Sequence, residues 1–257
     1  MARDTSFFND IKQFEGHEGG FTFPMPIFYY DMSAFFVVYT ASYQETVKLL
    51  PSPRMKPYRI LGKRALVVFT AFSYRDTDIG PYNEFGVAIP VNLDDSLPGS
   101  ALIRGVAHPT MFITHLPVTT EIALVAGKEV YNFPKFIANI DFEQGEKEIA
   151  AQLSEGDQHI LTLTIPSLSG RRAMRARMNV LTSRSGSILR CEVISDARDV
   201  AFATGVRGVK LSLGQDHYMA RHLKSLELGR PLAVTYIARG RMILTNPLES
   251  QPVIKGD

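Results

Sequence analysis

The feature that most restricts the fold of this chain is a regular series of short apolar segments separated by glycines. Four segments rich in β-branched and other apolar residues follow one another: Ile149–Leu153, His159–Ile165, Met174–Leu181 and Ser187–Val193. Glycines occupy the intervening turns, at Gly145, Gly156, Gly170 and Gly186. Repeated strands and turns without intervening helices predict an antiparallel barrel or sandwich rather than alternating strand–helix units.

The rest of the chain favours the same fold class. Further strands are predicted at Ala34–Tyr39, Ala65–Phe72, Tyr82–Leu93, Met111–Leu116, Phe136–Phe142 and Gly208–Ser212, with a final pair of strands within Leu232–Leu244. Predicted helices are short: one after Ser42, one over Glu121–Ala126 closed by Gly127, and one over Asp216–Leu228. We therefore expect an α+β protein that is mostly antiparallel β.

The chain has 257 residues and no change of composition that would mark a linker, so a single domain over residues 28–247 is expected. Residues 1–27 contain glycines and prolines at spacings that disrupt helical and strand patterns, which predicts an arm along the surface or across a neighbouring subunit. Residues 248–257 are expected to form a loose tail.

Composition argues against several kinds of partner. With 28 basic and 26 acidic residues and a net charge of +2, no nucleic acid or other polyanion is expected. The single cysteine excludes an internal disulfide, and neither a metal-ligand cluster nor a nucleotide-binding motif is found, so no metal and no cofactor are predicted. Without a signal peptide or a membrane-spanning run, a soluble cytoplasmic protein without membrane association is expected.

One lysine stands in an unusual setting. Lys135 follows Pro134 and lies between Phe133 and Phe136, in the segment YNFPKF that starts at Tyr131. Desolvation by such neighbours disfavours the charged ammonium and favours a neutral amine that can attack a carbonyl. The alternative is a surface lysine whose stem covers apolar neighbours.

A single acid occurs within the apolar strand predicted over Tyr82–Leu93. Glu84 is costly to bury as a carboxylate unless it has a partner, so it is either an active-site acid or base, or a residue at a strand end in contact with water. Tyr82 lies two residues earlier and therefore on the same strand face. By contrast, His115 is interpreted as a hydrogen-bonded sheet residue.

Four arginines form the only basic cluster, Arg171, Arg172, Arg175 and Arg177. Arg175 and Arg177 are two residues apart and share one strand face. A solvated face or a subunit contact is the default interpretation; bidentate binding of a substrate carboxylate is the alternative.

Several segments together resemble the acetoacetate decarboxylase family. Glu121, Gly127, Glu129, Pro134 and Lys135 match, at these spacings, the family signature in which a lysine after an aromatic residue and proline forms a Schiff base. Three other segments fit in the same order, EFGVAIPV from Glu84, ILRCEVIS from Ile188 and DHYMARHLKSLELGRP from Asp216. The resemblance extends from about Phe28 to Pro247.

The resemblance implies a cone-shaped, mostly antiparallel β-barrel with a few short helices, assembled as a homo-oligomer. It implies that Lys135 forms an imine with a small carbonyl substrate, without a cofactor, and that Glu84 is an active-site acid. We assign Tyr82, Tyr131 and Phe133 to the substrate pocket.

Three positions depart from the family. Phe136 stands where the decarboxylase has a second lysine, and Met32 where it has an arginine. The family's further glutamate falls at Thr70, or at Phe69 if the gap is placed differently. We assign Phe136, Met32 and Thr70 to the pocket as well. Because this chain lacks the family's charged residues at these positions, a larger, more apolar carbonyl substrate is a better match than a small acidic one.

Three functions are therefore considered. The first is a lyase that decarboxylates a β-keto acid through an imine and enamine. The second is a Schiff-base aldolase-dehydratase of the same superfamily without decarboxylase activity. The third is a non-catalytic β-barrel that binds an apolar ligand.

Overall fold

A computed structural model describes residues 4–60, 62–93 and 109–252. Within these ranges the strands are β1 Phe14–Glu18, β2 Phe21–Met25, β3 Ile27–Ser42, β4 Met55–Pro57, β5 Arg64–Thr77, β6 Tyr82–Leu93, β7 Thr110–His115, β8 Asn139–Gln144, β9 Glu148–Glu155, β10 Gln158–Pro166, β11 Arg172–Arg184, β12 Ser187–Thr204, β13 Lys210–Leu213, β14 Pro231–Leu244 and β15 Leu248–Pro252. The helices are α1 Tyr43–Lys48, α2 Glu121–Val125, a π-helix at Ala126–Val130, and α3 Tyr218–Ser225. The predicted class, mostly antiparallel β with a few short helices, is confirmed.

Seven strands close into a barrel. Their order is β11, β7, β6, β5, β3, β14 and β12, and the pairing of β12 with β11 completes the ring. Every pairing in this ring is antiparallel except that of β7 with β11. Because the ring is closed, these strands leave no unpaired edge between them.

Side-chain alternation divides the barrel strands into an inner and an outer face. On β3, Met32, Phe36 and Val38 point into the lumen, and on β5 Val68, Thr70, Phe72 and Tyr74 do the same. The residues between them, such as Phe35 and Phe69, are fully buried on the outer face.

A second sheet covers part of the outer face. It contains β8, β9, β10 and β13, all antiparallel. Its apolar residues, including Ile149, Leu153 and Leu161, form one core with the outward side chains of the barrel and with α3. The strands predicted from the glycine spacing are thus divided between this sheet and the barrel wall.

The N-terminal region differs from the expected arm. The prediction that its glycines and prolines prevent strands is wrong, because β1 and β2 form an antiparallel hairpin that turns at Gly19 and Gly20. Phe23 and Met25 are buried in a core cluster that also contains Tyr82 and Phe133. The alternation of apolar residues on β2 is sufficient to form a strand because the partner strand is only two residues away.

Two further expectations about strands are corrected. The predicted loose tail after Pro247 is wrong for Leu248–Pro252, which pairs with β12; residues 253–257 lie outside the described residues. The predicted pair of strands around Gly240 is one continuous strand, β14, whose register shifts at this glycine. The shifts on both sides of Gly240 mark a β-bulge, and the strand continues through it. A Cβ at this position would lie 2.9 Å from Met32 Cε.

The helix after Thr120 does not end at Gly127 as predicted. The chain continues through the π-helix to Val130, with Gly127 inside it. Single π-turns of this kind are rare and are frequent at functional sites. Among the described residues, no helix has the length and apolar character needed to cross a membrane.

Candidate active site

Three extended segments lie side by side at one end of the barrel and bring the predicted site residues together. The start of β6 pairs with residues 116–118 through Phe85 N–H, which donates to Pro117 O at 3.0 Å. Residues 116–118 pair in turn with residues 134–138, since Val118 N–H donates to Phe136 O at 3.0 Å. Pro134 prevents a helix here, and the extended chain that follows places Lys135 beside Glu84.

Lys135 and Glu84 form a buried ion pair. The Lys135 Nζ lies 2.7 Å from Glu84 Oε2, and the two side chains are only 5% and 9% exposed. Burial penalises both charges, whereas their proximity favours them. The carboxylate is therefore positioned to accept a proton from the amine and to return it later.

Three tyrosines surround the carboxylate. Tyr74 donates its hydroxyl proton to Glu84 Oε1 at 3.3 Å, and the hydroxyls of Tyr29 and Tyr82 lie 3.1 Å apart. Burial, together with the negative charge of Glu84, raises the pKa of Tyr74 and of Tyr82 well above the ordinary value, and raises that of Tyr29 as well. These phenols consequently stay protonated, and Tyr74 acts as a hydrogen-bond donor to the carboxylate.

Gly127 makes room for the lysine. A Cβ at this position would lie 2.3 Å from Lys135 Cδ and 2.4 Å from Cε, closer than real contacts allow. The π-helix that contains Gly127 is tied to the lysine segment, because Phe133 N–H donates to Gly127 O at 2.9 Å. The glycine therefore sets the path of the Lys135 side chain toward Glu84.

The amine opens onto a cavity inside the barrel. The cavity has a volume of about 340 Å³, and Lys135, Glu84 and Phe133 form part of its wall together with Met32 and Thr70. Met32 and Thr70, both assigned to the pocket from the sequence, thus line this cavity. An amine at the wall of a mostly apolar cavity can meet a carbonyl compound in surroundings that are less hydrated than the protein surface.

The remaining predicted pocket residues take different positions. Tyr82 does not line the cavity; its ring centre lies 5.7 Å from Lys135 Nζ, and its hydroxyl contacts that of Tyr29. Tyr131 does not line the cavity; it stacks on Phe133 at 5.2 Å and supports that ring from behind. The assignment of Phe136 to the pocket is wrong, since its ring faces away and packs against His217 and Tyr218 at 5.6 and 5.5 Å.

The arginine cluster fits the default interpretation of a solvated face. Arg175 pairs with Asp196 at 3.3 Å and Arg177 with Glu192 at 3.5 Å, and both arginine side chains are largely exposed. Arg177 also reaches the rim of the cavity.

Sequence reasoning missed two tyrosines. Tyr74 was missed because the predicted strand ended at Phe72, whereas β5 continues to Thr77. Extending the alternation by one step from Phe72 would have placed Tyr74 on the inner face. Tyr29 precedes the predicted start of its strand, and no local signal identified it.

His115 belongs to a histidine cluster behind the lysine segment. Its Nε2 lies 3.3 Å from His222 Nδ1, and its Nδ1 lies 3.1 Å from Thr114 Oγ1. Burial, assisted by repulsion from His222 and His217, lowers the pKa of His115 to about 3. The prediction of a hydrogen-bonded sheet residue is thus confirmed.

The His115 shift predicts a loss of stability in mild acid. Below an unfolded-state pKa of about 6.5, the unfolded chain protonates this ring and the folded chain does not, so the free energy of unfolding falls by up to about 1.4 kcal/mol per pH unit. Denaturant titrations between about pH 6.5 and 4.5 should show this slope, and His115→Gln should reduce it. His17→Gln, on an exposed ring, is the control; an equal effect of both substitutions would contradict the prediction.

Comparison with known proteins identifies the family of this chain. The sequence model of the family "Acetoacetate decarboxylase (ADC)" matches residues 14–250. No curated protein matches the chain by sequence. A solved acetoacetate decarboxylase superposes with a TM-score of 0.64 at 20% identity, covering 91% of this chain and 93% of its own.

Two further structures are similar. Acetoacetate decarboxylase from Legionella pneumophila has a TM-score of 0.65 at 16% identity, with 88% of each chain covered. The enduracididine biosynthesis enzyme MppR, in complex with pyruvate, has a TM-score of 0.55 at 13% identity and covers 87% of this chain and 90% of its own. The superpositions show a shared fold, and the match over residues 14–250 shows that this chain belongs to the acetoacetate decarboxylase family.

Proposed function

We propose that this protein is a lyase that decarboxylates a β-keto acid through an imine on Lys135. The observation that carries the proposal is the position of the Lys135 amine, which is buried in the wall of a cavity and lies 2.7 Å from Glu84. A desolvated amine beside a proton acceptor is the arrangement that imine formation needs.

The reaction begins when Glu84 accepts a proton from the Lys135 ammonium. The neutral amine attacks the ketone carbon, and proton return allows the carbinolamine to lose water as a protonated imine. The bond between the carboxylate and the α-carbon then breaks, its electron pair moves into the imine, and carbon dioxide leaves. Protonation of the enamine at carbon, followed by hydrolysis, releases the ketone and restores Lys135.

The surroundings of the amine assist these steps. Tyr74 remains a neutral donor to Glu84 throughout, so it supports the carboxylate while the proton moves. The cavity wall is mainly apolar, so a substrate carboxylate placed there loses hydration. Neutral carbon dioxide loses much less, and the loss of carbon dioxide is therefore favoured.

Reductive trapping tests the proposal. Borohydride with acetoacetate or pyruvate should add the mass of the reduced imine at Lys135, and Lys135→Ala should abolish the adduct. Lys128 is an exposed lysine in the π-helix that precedes the lysine segment. Lys128→Ala is the matched control and should be trapped like the wild type. If no adduct forms at Lys135 at any pH, the third function, an apolar-ligand-binding barrel, is favoured.

A second candidate function is aldol condensation followed by dehydration. Two observations favour it: the cavity of about 340 Å³ can hold two small carbonyl compounds, and MppR has been solved with the condensation product of pyruvate and imidazole 4-carboxaldehyde. Carbon dioxide release from a panel of β-keto acids separates the candidates. An aldolase would release no gas and would form an unsaturated product that depends on Lys135.

A further inference from the structure

We propose that the carbonyl compound that Lys135 binds carries a long, uncharged apolar chain, and that this chain occupies the barrel lumen beyond Glu84. The inference rests on the proposed imine chemistry and names the substrate class for the same site. It follows from the distribution of polar and apolar groups along the lumen.

The buried charges and the tyrosine hydroxyls lie at the amine end, and the polar side chains along the rest of the wall, apart from Arg177 at the rim, are the uncharged Thr70, Ser195 and Thr235. Moving along β6 from Glu84, the inward positions are Gly86, opposite Thr70, and then Ala88, opposite Val68. Four residues of strand correspond to about 13 Å. The Thr70 hydroxyl donates to Gly86 O at 3.3 Å, so its hydrogen bond is made within the wall. The surface that the wall presents to the lumen along this distance is therefore mainly apolar.

Small residues keep the lumen open. A barrel of about eight strands is only just wide enough for its own side chains to fill, so seven strands leave space only where inward residues are small. Gly86, Ala88 and Ala176 occupy such positions around the cavity. A substrate of the size of acetoacetate would leave most of the resulting 340 Å³ unfilled.

Methionines form much of the wall. Of the nine methionines in the chain, five line the cavity: Met32, Met111, Met174, Met178 and Met242. Methionine is flexible and polarisable and adapts to irregular apolar ligands. We therefore expect the site to tolerate branching in the apolar chain of the substrate and to prefer long chains to short ones.

Charge is confined to the two ends of the cavity. Among the described residues that line it, the charged ones are Lys135, Glu84 and Arg177. Arg177 is at the exposed rim and is already paired with Glu192. An anionic group within the lumen, between Glu84 and the rim, would have no partner there, which disfavours a substrate with a second carboxylate at that depth.

Competitive trapping tests the inference. Equimolar acetone, 2-heptanone and 2-undecanone, the methyl ketones that β-keto acids of increasing length would release, are reduced together with borohydride. Each buried methylene contributes a factor of about four in affinity, so the 2-undecanone adduct at Lys135 should exceed the acetone adduct at least about 100-fold.

A variant that blocks the lumen provides the second arm. Ala88→Phe places a ring across the predicted chain path and should lower the ratio of 2-undecanone to acetone adduct about 100-fold, with folding checked by circular dichroism. Ala176→Leu, on another part of the wall, serves if Ala88→Phe does not fold, and should lower the same ratio.

The outcomes separate this inference from the proposed function. Adducts of equal abundance from all three ketones, with normal trapping of acetoacetate, would overturn the chain proposal and leave the imine chemistry standing. If no ketone, acetoacetate included, is trapped at Lys135, both proposals fail together.

Discussion

Replacing Lys135 with methionine is expected to abolish imine formation and to lower the free energy of unfolding by about 3–5 kcal/mol. Methionine has nearly the length of the lysine stem but no charge, so Glu84 would remain buried with Tyr74 as its hydrogen-bond donor. An uncompensated buried carboxylate is strongly destabilising. Denaturant titration and borohydride trapping measure the two effects.

The double variant Lys135→Met/Glu84→Gln shows whether the cost comes from the charge. Removing both charges should recover most of the lost stability without restoring any imine, because the remaining pair is neutral. Lys128→Met, at an exposed lysine, is the control and should change stability little. If the single variant Lys135→Met were as stable as the wild type, the Glu84 carboxylate would have to be stabilised by groups other than the lysine, which would contradict the prediction.

Replacing Gly127 with alanine is expected to slow trapping at Lys135 about 100-fold, because a displacement of about 1 Å of a reacting group can have an effect of this size. The added Cβ would lie 2.3 Å from Lys135 Cδ, so the lysine stem has to move away from its path to Glu84. The rate of adduct formation with a fixed concentration of acetoacetate is the measurement.

Two features distinguish this effect from general unfolding. Alanine is the better helix former by about 1 kcal/mol, so local propensity does not oppose the substitution. Gly156→Ala is the control: at a φ of +55° it adds backbone strain, but nothing lies within 4 Å of the new Cβ, so trapping should be unchanged. An unchanged trapping rate in Gly127→Ala would mean that the glycine does not position the amine.

The sequence was most informative where a signal is local and periodic. Strand β6 was predicted with its observed bounds, Tyr82–Leu93, because a continuous apolar run between turn residues has few alternatives. The assignment of Phe136 failed although the information was present: in an extended chain, successive side chains face opposite sides, so a residue after an inward Lys135 points outward.

Other features depend on partners that are distant in the chain. The β1–β2 hairpin and the final strand contradicted the local pattern, because pairing and burial outweigh weak propensities at glycine and proline positions. The sequence rule that a glycine ends a helix also failed at Gly127, which lies inside the π-helix and packs against the lysine side chain.

The amino-acid sequence alone determined the strand-rich fold class and the family, and it singled out the two residues that we propose to react, since each is encoded by neighbouring residues or by their spacing. Only the tertiary structure decided that Lys135 and Glu84, 51 residues apart, meet at 2.7 Å, and that the lumen beyond them is open and apolar. The physical reason is that closing a seven-strand barrel converts alternate residues of separate strands into one wall, and the size of the space within that wall depends on all of them together.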